Sequence, residues 1–265
     1  MKCAYVTLIM LGDKYVPGAV ALANSLSSSG SYHDRVCLVT KDVTLIAELE
    51  RVFDKVIQVE FIHYKCGNML TSRQEELYSS WIDYSFTKWR CLELTQYSKC
   101  VYLDADQIVL KNIDHLFNLI TPAMCFNHNY NETFKKYKYG KQIVCLKEIF
   151  DNSTVLGFTG TFVYAPCVKL FQQIKALLTP NNRCLLQNKY NNGFEEVVLA
   201  QAMIALKIIP TQLSPMYLWN AGDYMIIKRS QPYVINYYGE KKPWCGDIKF
   251  MDEYIWWWFY KYNKI

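Results

Sequence analysis

Two aspartates lie one residue apart in a stretch that otherwise has the apolar pattern of a buried strand, "SKCVYLDADQIVLKNIDHLF", residues 98–117. Such aspartates could form a turn or cap a helix, make an ion pair, or bind a metal. In an extended segment residues i and i+2 point to the same side, so the carboxylates of Asp104 and Asp106 lie close together, which is costly unless a cation neutralises them. Carboxylate oxygens suit Mg²⁺ or Mn²⁺, and these ions commonly bridge to diphosphates. The pair therefore favours a nucleotide diphosphate site, with a simple turn as the alternative.

The first sixty residues alternate between strand and helix patterns, which must position this pair. Strands are predicted in "CAYVTLIML", "RVCLVT" and "KVIQVEF", and helices over residues 15–28 and in "LIAELERVF". Short connections between such elements are typical of an α/β fold, in which a mostly parallel, Rossmann-like sheet carries helices on both faces.

The remaining elements extend this pattern to the end of the chain. Helices are predicted at 83–94 and 168–178 and in "EEVVLAQAMIAL" and "MDEYIWWWFYKY", and strands in "KCVYL", "GTFVYAP", "KIIPTQL" and "YVINYYG". In an open α/β sheet, ligands bind beyond the carboxyl ends of the strands. Asp104 and Asp106 fall at such an end, directly after "KCVYL".

The bulk composition favours one globular domain over residues 1–265. The chain has 51% hydrophobic residues and no Pro/Gly/Ser-rich linker, and residues 127–157 have the polar and aromatic character of an inserted loop. The net charge of +5 is spread along the chain, and its short lysine clusters favour solvated faces and a small anionic ligand over nucleic acid. The ten cysteines have no zinc-binding spacing and are expected to be reduced and mostly buried.

The N-terminal "MKCAYVTLIML" superficially has the pattern of a signal peptide, because one lysine precedes a short apolar run. Asp13 and Lys14 interrupt the region, and no apolar segment long enough for a membrane span follows. The sequence therefore predicts a cytoplasmic protein with neither a signal peptide nor a transmembrane segment.

Four segments resemble a known family in the same order along the chain. "TKWRCLELTQYSKCVYLDADQIVLKNIDHLF", residues 87–117, resembles the central segment of the glycogenin and galactinol synthase group of retaining glycosyltransferases, called family 8. "AYVTLIMLGDKYVPGAVALANSL" resembles the first strand and helix of that group, "GTFVYAP" the strand beneath the sugar, and "KKPW" its C-terminal lysine motif. The length also resembles that of short glycogenin-like proteins of large DNA viruses of insects.

The resemblance implies a GT-A fold and a retaining hexosyltransferase. The implied donor is UDP-glucose or UDP-galactose, the implied cofactor is Mn²⁺ (or Mg²⁺), and the acceptor is the hydroxyl of a polyol, a glycan or a protein. It leaves room for a homodimer.

The resemblance also implies site residues. Asp104 and Asp106 match the metal-binding aspartates, and Lys88 and Glu195 match catalytic positions. Donor contacts are implied at Thr7, Leu8, Tyr15, Lys88, Asp104, Ala105, Asp106, Gly239 and Lys242.

The sequence departs from the family pattern at three sites. Asn236 stands where a histidine usually completes the metal site, although an amide oxygen can also coordinate a hard cation. Phe158 replaces an asparagine in the strand beneath the sugar. Glu195 and Glu196 stand where Asp and Gln are usual; Glu195 retains a carboxylate that could stabilise an oxocarbenium-like centre, and the alternative is an acidic first helical turn.

Two functional hypotheses follow. The first is a Mn²⁺-dependent retaining glycosyltransferase, with the metal on Asp104, Asp106 and Asn236. The second, motivated by Asn236 and Phe158, is a catalytically impaired relative that binds UDP or a UDP-sugar, or serves as a protein-interaction module.

Overall fold

Among the residues that the structure describes, the chain forms a central sheet of seven strands and a second sheet of three strands. The computed structural model describes residues 2–126, 137–222, 231–239, 241–247 and 250–261. Residues 127–136, the first third of the predicted inserted loop, therefore lie outside the described residues.

Within the described residues the strands are β1 Cys3–Ile9, β2 Asp34–Val39, β3 Lys55–Gln58, β4 Lys99–Leu103, β5 Gln107–Val109, β6 Ala123–Cys125, β7 Phe158–Tyr164, β8 Thr211–Gln212, β9 Trp219–Asn220 and β10 Val234–Asn236. The α-helices there are α1 Val16–Ser28, α2 Ile46–Glu50, α3 Ser72–Tyr78, α4 Leu146–Asn152, α5 Val168–Leu177, α6 Arg183–Leu186, α7 Phe194–Ala205 and α8 Met251–Lys261.

The central sheet has the strand order β3-β2-β1-β4-β7-β6-β8, and the second sheet has the order β5-β10-β9. Parallel pairing joins β3, β2, β1 and β4, so the central sheet is mostly parallel, as predicted. β7 breaks this pattern because it runs antiparallel to both β4 and β6. The buried runs of β1, β2 and β4 fit this arrangement, since strands covered by helices on both faces are apolar throughout. The predicted α/β class is confirmed.

The helix predicted at 83–94 has a different geometry from the one expected. Residues Ile82–Glu93 form 3-10 turns, which are more tightly wound than an α-helix. Trp89, the largest side chain of this segment, is fully buried and packs edge-on against Phe162 of β7 at 5.7 Å between ring centroids. This packing fixes the segment against the sheet and so positions Lys88 beside Trp89.

The closing helix α8, predicted from "MDEYIWWWFYKY", lies against α1. Trp256 is fully buried, whereas Trp258 is 46% exposed. The amide group of Asn24 on α1 donates to the carbonyl oxygen of Phe259 at 2.9 Å. Among the described residues, none of the helices is both long and apolar enough to cross a membrane.

Candidate active site

The two aspartates follow β4 at the carboxyl edge of the parallel strands. The backbone N–H of Asp104 donates to the carbonyl oxygen of Gly160 on β7 at 2.9 Å. A Cβ atom at Gly160 would lie 3.1 Å from Oδ2 of Asp104 and 3.0 Å from Nε2 of Gln107. Glycine therefore leaves the space that the Asp104 carboxylate needs in order to lie against β7.

Asp104 forms an ion pair with a buried lysine. Nζ of Lys88 lies 3.1 Å from Oδ1 of Asp104, and the Lys88 side chain is only 9% exposed. The same Nζ lies over the ring of Tyr102, 4.5 Å from its centroid. Burial alone would lower the pKa of Lys88, but the negative charges of Asp104, Glu196 and Glu195 raise it, so the lysine is charged.

Asp106 forms a second, separate ion pair. Nζ of Lys242 lies 2.6 Å from Oδ2 of Asp106 and 2.8 Å from the carbonyl oxygen of Tyr237. The Lys242 and Asp106 side chains are 7% and 16% exposed. Burial has the largest single effect and lowers the pKa of Lys242, but Asp106, Tyr15 and Asp104 together raise it above its ordinary value. Two lysines from distant segments thus neutralise the two aspartates.

The carboxyl group of Asp104 is not an ordinary surface acid. Loss of water around it raises its pKa to about 6, although Lys88 acts in the opposite direction and Asp106 adds a further rise. A positive group beside such an acid stabilises its ionised form.

Asn236, the predicted third metal ligand, lies in β10 directly opposite Gln107 of β5. Its amide oxygen accepts from Nε2 of Gln107 at 3.4 Å, and its NH₂ group donates to Oδ1 of Asn220 at 3.1 Å. Among the described residues, no group of three or more His, Cys, Asp or Glu side chains comes together as a metal site. The metal ligands predicted from the sequence are the carboxylates of Asp104 and Asp106 and the amide of Asn236.

Tyr15 and the "KKPW" segment come together at the start of α1. Nζ of Lys242 lies 5.8 Å from the centre of the Tyr15 ring, and the rings of Tyr15 and Trp244 are 5.5 Å apart. Nε1 of Trp244 donates to the carbonyl oxygen of Lys14 at 2.8 Å. A Cβ at Gly18 would lie 2.7 Å from the Trp244 ring, so glycine permits this docking.

Thr7 and Leu8, the predicted donor contacts in β1, are both buried. The hydroxyl of Thr7 has no hydrogen-bond partner among the described residues. A buried hydroxyl without a partner is costly, and a bound ligand could satisfy it. Ala105 is also buried, and Gly239 has φ of 104°, a backbone conformation that favours glycine in the turn before Lys242.

Glu195 lies in the first turn of α7, and one of its carboxylate oxygens, Oε2, is buried without a hydrogen-bond partner among the described residues. Burial and the charge of Glu196 raise the pKa of Glu195 to about 7, while Lys88 lowers it. The carbonyl oxygen of Glu195 accepts from Nε1 of Trp89 at 3.1 Å. Packing of the 3-10 segment therefore fixes the backbone at this acid.

Glu196 is held far more firmly than its neighbour. Its Oε1 accepts from the backbone N–H of Thr159 at 2.6 Å and from the Thr159 hydroxyl at 3.0 Å. Its Oε2 accepts from Nδ2 of Asn192 at 2.6 Å. Three donors stabilise this buried carboxylate, which ties the start of α7 to β7 next to the half-buried Phe158.

The family model for glycosyl transferase family 8 matches residues 6–160, more than half of the chain. The chain belongs to this family. The matched region contains residues 6–9 of β1, Lys88 and both aspartates, whereas Glu195, Asn236 and Lys242 lie beyond it.

Curated relatives of this family 8 chain include viral and animal proteins. An uncharacterized protein of Acanthamoeba polyphaga mimivirus is 32% identical over 183 residues, covering 68% of this chain and 60% of the relative. Human glycogenin-1 is 27% identical over 252 residues, covering 91% of this chain and 62% of the relative. The chain thus spans about three fifths of the length of these two relatives.

Solved glycosyltransferases share its fold. The glycosyltransferase GlyE of Streptococcus pneumoniae superposes with a TM-score of 0.61 at 15% identity, covering 98% of this chain and 60% of GlyE. The galactosyltransferase LgtC, solved with donor and acceptor sugar analogs, gives a TM-score of 0.61 at 10% identity, covering 99% of this chain and 96% of LgtC. The predicted GT-A type fold is confirmed.

The family 8 motifs led to the ion-paired residues but not to their neighbours. Sequence reasoning did not select Gln107, Asn220 or the contact between Glu196 and Thr159. The sequence did single out Glu196, because an acid stands there in place of the usual Gln. It did not indicate that the hydroxyl and the backbone N–H of Thr159 would donate to this acid.

Proposed function

We propose that this family 8 chain is a retaining glycosyltransferase that moves glucose or galactose from a UDP-sugar to a hydroxyl acceptor. The observation that carries the proposal is the pair of salt bridges at the carboxyl edge of the sheet, Lys88 with Asp104 and Lys242 with Asp106. Open α/β folds bind ligands at this edge. Buried lysines beside carboxylates can stabilise a diphosphate whose negative charge grows as it leaves.

The donor is proposed to lie between β1 and the loop that carries Lys242. The unpartnered hydroxyl of Thr7 and the neighbouring Leu8 and Tyr15 would contact the uridine, and Asp104 and Ala105 would lie near the ribose and phosphates. Gly239 and Lys242 would bind the diphosphate, since the turn at Gly239 lets the backbone approach a ligand closely.

The chemistry of the side chains at this edge fits Mn²⁺ or Mg²⁺. Each aspartate pairs with its lysine through one carboxylate oxygen, which leaves its second oxygen as a ligand, and the amide oxygen of Asn236 makes only a long hydrogen bond of 3.4 Å. All three donors are oxygen atoms, as these hard cations prefer. When bound, the ion would supply positive charge to offset the diphosphate.

Glu195 and Lys88 are the proposed catalytic residues. In the reaction, the bond between the anomeric carbon and the UDP oxygen breaks with its electrons on UDP. The acceptor oxygen bonds the carbon, and its proton passes to the phosphate oxygen of the departing UDP or to water. The ionised Glu195 carboxylate would stabilise the positive charge on that carbon, which its uncommitted oxygen permits. Lys88 would keep Asp104 ionised and the site's charge balanced.

A second candidate is a UDP-binding module without turnover. It is favoured by the amide of Asn236, which is held by both Gln107 and Asn220, and by Phe158, whose side chain offers no amide to a sugar. An amide held in this way is a weaker ligand for Mn²⁺ than the usual imidazole.

Donor hydrolysis by the purified chain separates the two candidates, because transferases commonly leak donor to water. The expected result is slow release of UDP from UDP-glucose or UDP-galactose that depends on Mn²⁺. If both donors stay intact while UDP with Mn²⁺ still raises the melting temperature, the enzyme proposal fails and the binding module stands.

The organisation of the protein remains a set of predictions. We propose one family 8 domain over residues 1–265, a cytoplasmic location and a homodimer, with no role in binding nucleic acid.

A further inference from the structure

Asn236 is the middle member of a row of three side-chain amides that crosses the second sheet. In the register of that sheet it lies opposite Gln107 of β5 on one side and Asn220 of β9 on the other. Nε2 of Gln107 donates to the amide oxygen of Asn236 at 3.4 Å, and the NH₂ group of Asn236 donates to the amide oxygen of Asn220 at 3.1 Å. We call these three residues the amide row.

The amide row is fixed at its buried end. Gln107 is fully buried, and its Oε1 accepts from the Thr161 hydroxyl at 3.2 Å. That hydroxyl also donates to the carbonyl oxygen of Tyr217 at 2.6 Å. Contacts on both sides of Asn236 and behind Gln107 therefore hold the Asn236 amide in one orientation, with its oxygen toward Gln107.

The buried end of the amide row lies beside the proposed metal-binding carboxylates. A Cβ atom at Gly160 would lie 3.0 Å from Nε2 of Gln107 and 3.1 Å from Oδ2 of Asp104, so these two atoms border the same space against β7. The backbone N–H of Tyr237 donates to the carbonyl oxygen of Asp106 at 2.9 Å, which fastens the end of β10 to the loop that carries the aspartates. The amide oxygen in the middle of the row thus lies at the same edge as both carboxylates.

The oxygen of Asn236 keeps the capacity to bind a cation. An amide oxygen has two lone pairs, and the bond from Gln107, at 3.4 Å, is longer than a normal N–H···O hydrogen bond. Asn220 occupies only the NH₂ group of Asn236. The amide row therefore orients this oxygen without saturating it.

The donor atoms at this edge differ in kind from those of a site completed by histidine. The three predicted ligands, Asp104, Asp106 and Asn236, offer only oxygen atoms. Carboxylate and carbonyl oxygens suit Mg²⁺ and Mn²⁺ alike, whereas an imidazole nitrogen is a softer donor that transition metals accept and Mg²⁺ does not favour. A histidine would thus add a discrimination between the two ions that an amide does not provide.

We propose that Asn236 is a specificity-determining residue that makes the site nearly indifferent between Mg²⁺ and Mn²⁺, where a histidine would favour Mn²⁺. The inference rests on the proposed function and deepens it, because it names the ions that the donor site takes. The amide row is the device that holds the oxygen of Asn236 ready for either ion.

Paramagnetic resonance of Mn²⁺ tests this selectivity without requiring turnover, because only free Mn²⁺ gives the sharp signal. Each protein is titrated with Mn²⁺ in the presence of UDP, and Mg²⁺ is then added to displace it, with a protein-free sample of UDP as the blank. The quantity compared is the ratio of the two dissociation constants. The proteins are the wild type, Asn236→His, Asn236→Asp and the control Asn181→His, at an exposed asparagine after α5.

The wild type should bind Mn²⁺ less than about tenfold more tightly than Mg²⁺, and Asn236→His should raise this ratio about tenfold or more by tightening Mn²⁺ alone. Asn236→Asp retains an oxygen ligand and adds a charge, so both ions should bind more tightly and the ratio should stay within about threefold of the wild-type ratio. Asn181→His should keep the wild-type ratio. Melting temperatures without metal verify folding, and if Asn236→His does not fold, the wild-type ratio and Asn236→Asp still decide.

Three results would overturn the proposal: a wild type that binds neither ion, a wild type that prefers Mn²⁺ by more than about tenfold, or a folded Asn236→His variant with the wild-type ratio. The outcome is separable from that of the proposed function, which donor hydrolysis decides. The expected ratios in a chain that hydrolyses neither donor would keep the metal selectivity and remove the transferase activity. Donor hydrolysis by a wild type with a strong preference for Mn²⁺ would do the reverse.

Discussion

The ion pairs of the proposed donor site and the tyrosine pair between α3 and the loop after β10 are built from different chemical groups. In the ion pairs, Lys88 and Lys242 are 9% and 7% exposed and neutralise two aspartates that follow a central strand. In the tyrosine pair, the neutral hydroxyls of Tyr78 and Tyr238 meet, and the Tyr238 side chain is 64% exposed. The two ion pairs are charged and have buried lysines, although the Asp104 side chain is 38% exposed, whereas the tyrosine pair is neutral and open on the side of Tyr238.

This contrast predicts how each region responds to substitution. Paired buried charges are expensive to rearrange, so they suit a ligand with a constant charge such as a diphosphate. Exposed hydroxyls cost little to rearrange and exchange partners with water. Substitutions in the ion pairs should therefore have larger effects than those in the tyrosine pair.

The largest effect is expected from Asp104→Asn. This change removes the charge that pairs with Lys88 and one proposed metal ligand, so donor hydrolysis should fall on the order of 10²- to 10³-fold. Hydrolysis of UDP-glucose and UDP-galactose, followed as UDP release, checks this. The matched control is Asp151→Asn, which breaks only a surface pair with Lys147 and should retain full activity. Equal rates in both variants would remove Asp104 from the site.

Lys242→Met should change metal and nucleotide binding in opposite directions. Without the ammonium group the Asp106 carboxylate is left for a cation, so Mn²⁺ should bind several-fold more tightly, while loss of a charged phosphate contact should weaken UDP about tenfold or more. Paramagnetic resonance of Mn²⁺ and calorimetry of UDP measure the two affinities. The exposed neighbour Lys241 provides the control Lys241→Met. Weakening of both ligands together would contradict competition between Lys242 and the metal for Asp106.

Glu195→Gln should separate stability from activity. Because the pKa of Glu195 is about 7 in the folded protein against an ordinary 4.5, the folded state retains a proton that the unfolded chain has lost between these values. The free energy of unfolding therefore falls as pH rises through this window. Near about pH 8 the variant should melt at a higher temperature than the wild type. Near about pH 4, below both pKa values, the two proteins should melt at the same temperature.

The same variant should lose the rise in activity that the wild type shows as Glu195 ionises near pH 7. Thermal melts and hydrolysis rates across pH measure the two effects. Glu76→Gln, at a residue in an exposed pair with Arg73, is the control. A variant that is less stable than the wild type near about pH 8 would show that Glu195 is ionised and satisfied in the folded state.

The smallest effect is expected from Thr159→Val. The change removes one of three donors to Glu196 and leaves the backbone N–H in place, so the free energy of unfolding should fall by about 1 kcal/mol. Urea denaturation of this variant and of Thr95→Val, at an exposed threonine, measures the difference. A loss no larger than that of the control would mean that the backbone N–H and Asn192 already satisfy Glu196.

The elements of the fold were predictable where their patterns are local. The apolar runs of β1, β2 and β4 gave correct predictions, since burial on both faces of a strand leaves a continuous apolar signal. The helix predicted at 15–28 is also present, as α1. A helix was predicted at 83–94, whereas Ile82–Glu93 form 3-10 turns. Trp89 of this segment packs against Phe162 of β7, a contact with a distant strand that the local sequence pattern does not show.

The residues of the ion pairs were also visible from sequence, whereas the tyrosine pair was not. Asp104 and Asp106 belong to one short motif, and "KKPW" supplied Lys242. The contact between Tyr78 and Tyr238 spans 160 residues and begins on α3, which no pattern indicated. The partners of Asn236, Gln107 and Asn220, depend likewise on the pairing of β5, β10 and β9.

Calorimetry of UDP binding with and without Mn²⁺ tests the central claim, that Asp104 and Asp106 form the metal end of a nucleotide-sugar site. The wild type should bind UDP at least about tenfold more tightly with Mn²⁺, and a variant with both aspartates changed to asparagine should not respond to the metal. Equal UDP affinity of the wild type with and without Mn²⁺ would contradict the claim.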